Sequence, residues 1–219
     1  MRQYEETVSF DVTIPGKAQT LDTALTNSDG DFIHAKGVVT SFNDQDQGFF
    51  IQNSENSLGL FISSDDFNNE IEKGDLISIH GQLGRNTSYK SNQRMLGGDI
   101  LVTSIESTEE AFVKEDSSLT DIINDYNTYD IAEPLNQSGG TTDSIRYTLE
   151  DVTLSSIDAF NYVFIDSIET DMSLIFDIDE AEGLTLDEYS DGMNISSITF
   201  TTEKIHFGNY RVVNVVINQ

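Results

Sequence analysis

The residue types that most often carry catalysis are scarce in this chain. Its 219 residues include no cysteine and only three histidines, His34, His80 and His206, no two of them close in sequence. A disulfide framework, thiolate metal sites, a cysteine nucleophile and paired-histidine zinc helices are therefore excluded. No GxGxxG, Walker A or GxSxG pattern occurs. A Ser–His–Asp arrangement would have to use histidines that all lie in strand-like segments, where a structural role is expected. Carboxylates abound instead, with 39 acidic against 11 basic residues and a net charge of −28. Asp65-Asp66 and Glu109-Glu110 pair the groups that hydrolysis could use, but each lacks a neighbouring histidine. The acidic loops make Asp29, Asp31, Asp44, Asp46, Asp177 and Asp179 candidate Ca²⁺ donors, because a hard cation gathers several carboxylate oxygens. None of these loops follows EF-hand spacing, and solvated turns are expected in so acidic a chain. No cofactor beyond a candidate Ca²⁺ is implied, and no enzyme is expected.

The rare cations are more informative. From Leu76 to Gly98 there is no acid, while Arg85, Lys90 and Arg94 all fall there with Tyr89 between them. Such a basic hairpin could hold phosphates through its guanidinium groups and stack a base on Tyr89. Phe49 and Phe50 offer further platforms, although in a strand one of the two must point inward. The acidic body opposes this, since nucleic-acid affinity is mostly phosphate neutralisation. The same hairpin could dock on an acidic surface, including another copy of the chain.

Strand signals dominate the rest. Val8, Phe10, Val12 and Ile14 alternate with polar residues until Pro15-Gly16 ends the run. Burying each of these four side chains is worth roughly 1.5–3 kcal/mol. They are expected to add either to their own fold or, as an assembly strand, to a neighbouring subunit. A helical turn is read at 21–25. Strands are then predicted at 32–42, 48–52, 58–62, 76–83 and 100–105, separated by clusters of Asn, Asp, Gly and Ser. An acidic linker at 106–116 leads to a helix over 118–131, capped by Ser117 or Ser118. Five more strands are predicted at 147–157, 162–166, 173–178, 193–200 and 210–217. The halves read as a duplication, with Gly74 and Gly192 in equivalent turns. No apolar run approaches the ~18–20 residues of a membrane helix, so membrane insertion is not expected.

At Lys36–Ser41, Gly48–Gln52 and Lys73–Gly81 the first half resembles bacterial OB-fold modules of secreted nucleases and cell-surface proteins. The likeness covers about residues 20–105 and is weaker over 145–217, where the Lys-Gly-Asp turn has become Ser190-Asp191-Gly192. It implies an all-β chain of two tandem OB-fold, five-stranded Greek-key barrels. The expected layout is an N-terminal arm (1–17), a first barrel (18–106), a linker with its helix (107–140) and a second barrel (141–219). The resemblance also implies an extracellular or cell-surface, non-catalytic role. The expected function is head-to-tail self-association into a filament or surface assembly, through the N-terminal strand and the basic hairpin. The alternative is a nucleic-acid-binding accessory module of a secreted nuclease; oligosaccharide or protein binding is a third reading.

Overall fold

The computed structural model describes residues 16–43, 48–54, 58–64, 71–86, 93–108, 112–115, 117–127, 144–166, 173–206 and 209–219. The alternating segments form the expected strands. In the first half these are β1 (Gln19–Thr20), β2 (Phe32–Asn43), β3 (Gly48–Gln52), β4 (Gly59–Ser63), β5 (Asp75–Asn86) and β6 (Gln93–Ser107), with the short helix α1 (Leu21–Ala24) after β1. In the second half they are β7 (Arg146–Leu154), β8 (Ser156–Ile157), β9 (Tyr162–Asp166), β10 (Ser173–Asp177), β11 (Met193–His206) and β12 (Asn209–Asn218). Helix α2 (Leu119–Asn127) lies between the halves; the predicted continuation to Ile131 lies outside the described residues.

Strand order identifies the fold. The first sheet runs β2–β3–β4–β6–β5 and closes through β2–β5, with β4 and β6 parallel and the other barrel pairs antiparallel. The second runs β7–β11–β12–β10–β9–β8, with β10 and β12 parallel. Because β7 and β8 are the two halves of one strand interrupted at Ser155, this sheet also comes round on itself. Both are the closed Greek-key barrel of the OB fold. The chain is thus two tandem OB-fold barrels.

The duplication extends to individual hydrogen bonds. The Gly74 amide donates to the Val39 carbonyl at 2.9 Å, and the Gly192 amide donates to the Leu154 carbonyl at 2.8 Å. Each bond ties the turn before the fourth barrel strand to the first barrel strand. Both glycines have positive φ, +95° and +77°, which an L side chain rarely adopts.

Each barrel has its own core. Val39, Phe49, Ile51, Leu60, Ile62, Ile77 and Ile79 fill the first, with Leu21 and Ala24 of α1 packed against them. Tyr147, Leu149, Val163, Ile165, Phe176, Phe200 and Tyr210 fill the second, joined by Ile122 and Ile123 of α2. Helix α2 starts at a capping pair as expected: the Ser118 hydroxyl accepts from the Asp121 amide at 3.1 Å and donates to the Asp121 carboxylate at 2.7 Å. That bonding holds the Asp121 pKa below the usual carboxylate value.

The third cluster joins the barrels. Phe50 and Phe61 point out of the first barrel, yet both are buried, packed against Val213 of β12 with Met95 alongside. Polar contacts surround them. Ser41 meets Thr201 at 2.7 Å, Asn43 donates to Glu203 at 2.7 Å, and the Arg146 amide donates to the Gln52 side chain at 2.9 Å. Glu203 is 1% exposed and also pairs with Arg211 at 3.2 Å. Asn214 reaches the Phe42 carbonyl, and Gln93 donates to Ser144 at 3.1 Å.

One predicted strand is corrected. The last strand of the first barrel begins at Gln93, well before Ile100, and Arg85 pairs with Arg94 within the β5–β6 ladder. Gly97-Gly98 lies inside β6, where the positive φ of Gly98 is absorbed by a register irregularity.

Two stability outcomes follow from this packing. Gly74→Ala is expected to cost more than the ~1–2 kcal/mol of a left-handed alanine, because its Cβ would also meet the Thr108 carbonyl at 3.0 Å, whereas Gly192→Ala meets nothing. Urea unfolding of the two variants measures the difference. Glu203→Ala leaves Arg211 buried without its closest carboxylate, and a loss of about 3–5 kcal/mol is expected in the same assay.

Candidate functional site

OB barrels present ligands on the outer face of their second and third strands, flanked by the loop between the first two strands and the loop between the last two. In the first barrel that face is β3 and β4, and it is closed. Phe49 points into the core, as one of the pair had to. Phe50 points outward and is covered by the second barrel. Neither can serve as the stacking platform the sequence suggested, because the barrel–barrel contact removes Phe50 from solvent.

In the second barrel the equivalent face is β9 and β10, where the outward-facing Ile175 is buried at 2% exposure. Val163 and Ile165 are core residues, so Tyr162, Phe164 and Asp166 project outward. Tyr162 and Phe164 are each half-buried, two residues apart on one face. Opposite Phe164 stands Ile175, and beside Ile175 in the parallel register stands Arg211. Phe160, 76% exposed, sits at the tip of the turn between the first two strands of this barrel. Asp158 holds that turn, accepting from the Phe160 and Tyr162 amides at 2.8 and 2.9 Å. Asn161, whose φ is +66°, donates to Asp179 at 2.9 Å. Three aromatic side chains thus border one face on a rigid hairpin. Sequence reasoning passed over them. The signal was present in Tyr162-Val163-Phe164-Ile165-Asp166, where aromatics occupy the alternate positions expected to be polar.

The electrostatics of this face are mixed. Burial raises the Tyr162 pKa; nearby Arg211 opposes the rise, and Asp177, Glu180 and Glu203 add to it. Arg211 is itself buried, held by Glu203 at 3.2 Å and Glu180 at 3.6 Å. Next to Asp166 a cavity of about 780 Å³ opens between the start of α2 and β7, and Glu115, Glu150 and Asp151 are among its lining residues. That cavity is suited to no phosphate.

The basic hairpin is arranged differently from the expectation. Arg85 contacts Asp29 at 2.5 Å, and Arg94 lies 3.7 Å from Asp29 and donates to the Asn27 carbonyl at 3.1 Å. Their side chains are 8% and 10% exposed. Both guanidinium groups fold onto their own barrel and are not displayed on a projecting loop. In a chain this acidic an arginine finds an internal carboxylate close by. Tyr89 and Lys90 lie outside the described residues.

The same contacts take up the acidic candidates. Asp29 is neutralised by the two arginines, and Asp31 accepts from the Ser28 amide at 2.9 Å to hold a turn. Asp177 accepts from the Asp179 amide at 3.0 Å, capping the short 3-10 turn Ile178–Glu180. Among the described residues no three metal-ligating side chains gather into a cation site. Asp44 and Asp46 lie outside the described residues, as do the assembly-strand positions Val8, Phe10, Val12 and Ile14.

His34 and His80 make structural contacts. His34 places Nδ1 at 2.8 Å from the Gly16 carbonyl and Nε2 at 3.0 Å from the Thr103 hydroxyl. His80 stacks on Phe32, and its pKa is held below the usual histidine value by burial and by the charge of His34. Among the described residues neither ring is bonded to a carboxylate. The side chain of His206 is outside the description.

No family model matches the chain, and no curated protein does. Several solved structures resemble it at low similarity. A murine DNA binding protein bound with double-stranded DNA is 12% identical, with 85% of this chain and 99% of that one covered and a TM-score of 0.37. The Drosophila Unr CSD456 structure is 16% identical, with coverages of 87% and 63% and a TM-score of 0.25. The hypothetical protein ygiW from E. coli is 14% identical, with coverages of 42% and 89% and a TM-score of 0.31. TM-scores this low leave strand order and register as the ground for the OB assignment.

Proposed function

We propose that this chain is a non-catalytic binding module that takes single-stranded nucleic acid on the β9–β10 face of its second barrel. The observation that carries the reading is the half-buried pair Tyr162 and Phe164 on the outward side of β9, with Phe160, 76% exposed, at the rim. Bases stack on such aromatics at about 1–3 kcal/mol each, with little demand for sequence. The acidic surroundings set the character of the binding. Asp166, Asp177 and Glu180 repel phosphates, and the described arginines are turned inward, so stacking must supply most of the affinity. The ligand's backbone then runs on the solvent side of the stacked bases. Head-to-tail assembly through the basic hairpin has less to work with, since Arg85 and Arg94 are committed to Asp29.

The test is a titration of a labelled oligothymidine of about 15 nucleotides, a length matched to one OB face. Tyr162→Ala and Phe164→Ala are each expected to weaken binding at least about fivefold. Between about 50 and 200 mM salt the affinity should fall less than about tenfold, as for one or two phosphate contacts. Arg85→Ala should lower stability and leave the affinity unchanged. Binding that survives the Tyr162→Ala/Phe164→Ala double variant, or no binding at low salt, defeats the reading. A neutral oligosaccharide that protects the same aromatics when DNA does not would reassign the face to sugars.

A further inference from the structure

The cavity beside Asp166 has no part in the nucleic-acid reading, and its lining suits a different ligand. It encloses about 780 Å³ between the start of α2 and β7, room for a small organic molecule. The buried side chains that line it are aliphatic: Leu149, Val152 and Ile165 of the second core. Leu119 of α2, half-buried, joins them. The carboxylates that line it, Glu115, Glu150, Asp151 and Asp166, are all exposed. Among the described lining residues there is no aromatic ring and no basic side chain.

The backbone fixes these groups in place. Glu150 and Asp151 follow each other on β7, where strict alternation would send one of them into the core. Asp151 instead has a φ of +53°, a left-handed conformation that Asp tolerates better than most residues. The inward positions therefore step from Leu149 to Val152, and both carboxylates stay outside. The Lys114 amide donates to the Arg146 carbonyl at 2.8 Å, and the Thr148 amide donates to the Lys114 carbonyl at 3.0 Å. Those bonds lay the segment carrying Glu115 alongside β7. The Asp166 amide donates to the Ser155 hydroxyl at 3.2 Å, and the Ser173 hydroxyl donates to the Asp166 carboxylate at 2.6 Å.

We propose that this cavity binds a linear polyamine, whose ammonium groups meet the carboxylates while its methylene runs lie on the aliphatic side chains. The spread of the carboxylates decides against a metal ion. A single hard cation needs its oxygens within one coordination sphere, and among the described residues no three metal-ligating side chains gather so closely. Charges dispersed around a cavity match charges dispersed along a chain. Without an aromatic ring the described lining offers no stacking surface to a base or a sugar, and without a cation it offers nothing to an anion. The net charge of −28 adds a long-range pull on any polycation. The inference does not depend on the nucleic-acid reading, because its test contains no nucleic acid.

Calorimetric titration of the full chain with spermidine at about 50 mM salt tests it. Saturable binding to a single site is expected. Hexaamminecobalt(III), equal in charge but without methylenes, should bind at least about tenfold more weakly. The double variant Glu150→Gln/Asp151→Asn removes two charge-assisted contacts and should weaken spermidine at least about tenfold. Both side chains are exposed and keep their shape in the variant, so the fold is retained. The same change of charge on the first barrel, Asp99→Asn/Glu106→Gln, should alter the affinity less than about twofold. Equal weakening by the two double variants would reduce the binding to a response to net charge and overturns the proposal. So do equal affinities for spermidine and the cobalt complex, tighter binding of Mg²⁺ than of spermidine, or no saturable binding at this salt.

Discussion

Phe50 and Phe61 stand on the outside of the first barrel and are nevertheless among its buried side chains, because Val213 and the rest of the second barrel lie over them. This contact determines what the molecule can offer to anything else. An isolated OB barrel with two such aromatics on its second and third strands would present a stacking surface. Here the duplicated unit occupies that surface. The packing is heterologous, since β3 and β4 of the first barrel meet β12 of the second and β2 meets β11, not their own counterparts. The first barrel therefore surrenders its face while the second keeps one.

The polar ring around that apolar contact fixes its orientation. Glu203 is almost wholly buried and accepts from Asn43 at 2.7 Å while pairing with Arg211 at 3.2 Å. Burying an ion pair gives little net stability, because the desolvation cost cancels most of the attraction. Its effect is on geometry. Any rotation of one barrel against the other would break the Asn43–Glu203 bond and leave a charge in a dry interface. The same economy governs the other described arginines. Arg85 and Arg94 close on Asp29, and Arg146 is buried at the seam, where burial lowers its pKa against the opposing charge of Glu182. With 39 acidic residues to choose from, the arginines act as internal staples.

Local rules made most of the architecture legible. The strands at Gly48–Gln52 and Tyr162–Asp166 lie where alternation and flanking turn residues put them. The Gly74 and Gly192 turns revealed the duplication because positive φ leaves few residues to choose from. What escaped was non-local. That Phe50 faces a partner barrel depends on residues more than a hundred positions away, which no period within a strand can encode. That Arg85 and Arg94 turn inward depends on Asp29 from a turn ahead of β2. The half-buried aromatics Tyr162 and Phe164 were missed because the run Tyr162–Asp166 was read only as a strand, with no face assigned to its side chains.

Duplication followed by docking of the β3–β4 face against β12 gives the two barrels different physical tasks. Among the described residues of the first barrel, Phe32 of β2 and Leu101 and Ile105 of β6 remain exposed. The second barrel holds its aromatic hairpin rigid through Asp158 and Asn161, while Arg211 anchors the adjoining strand to the seam. A ligand that stacks on Tyr162 and Phe164 would lie only one strand away from the Glu203–Arg211 pair, since Ile175 separates Phe164 from Arg211 in the sheet. A ligand that draws Arg211 toward itself must weaken the pair that positions Glu203 for Asn43 of the first barrel, and one that leaves Arg211 in place keeps that carboxylate fixed.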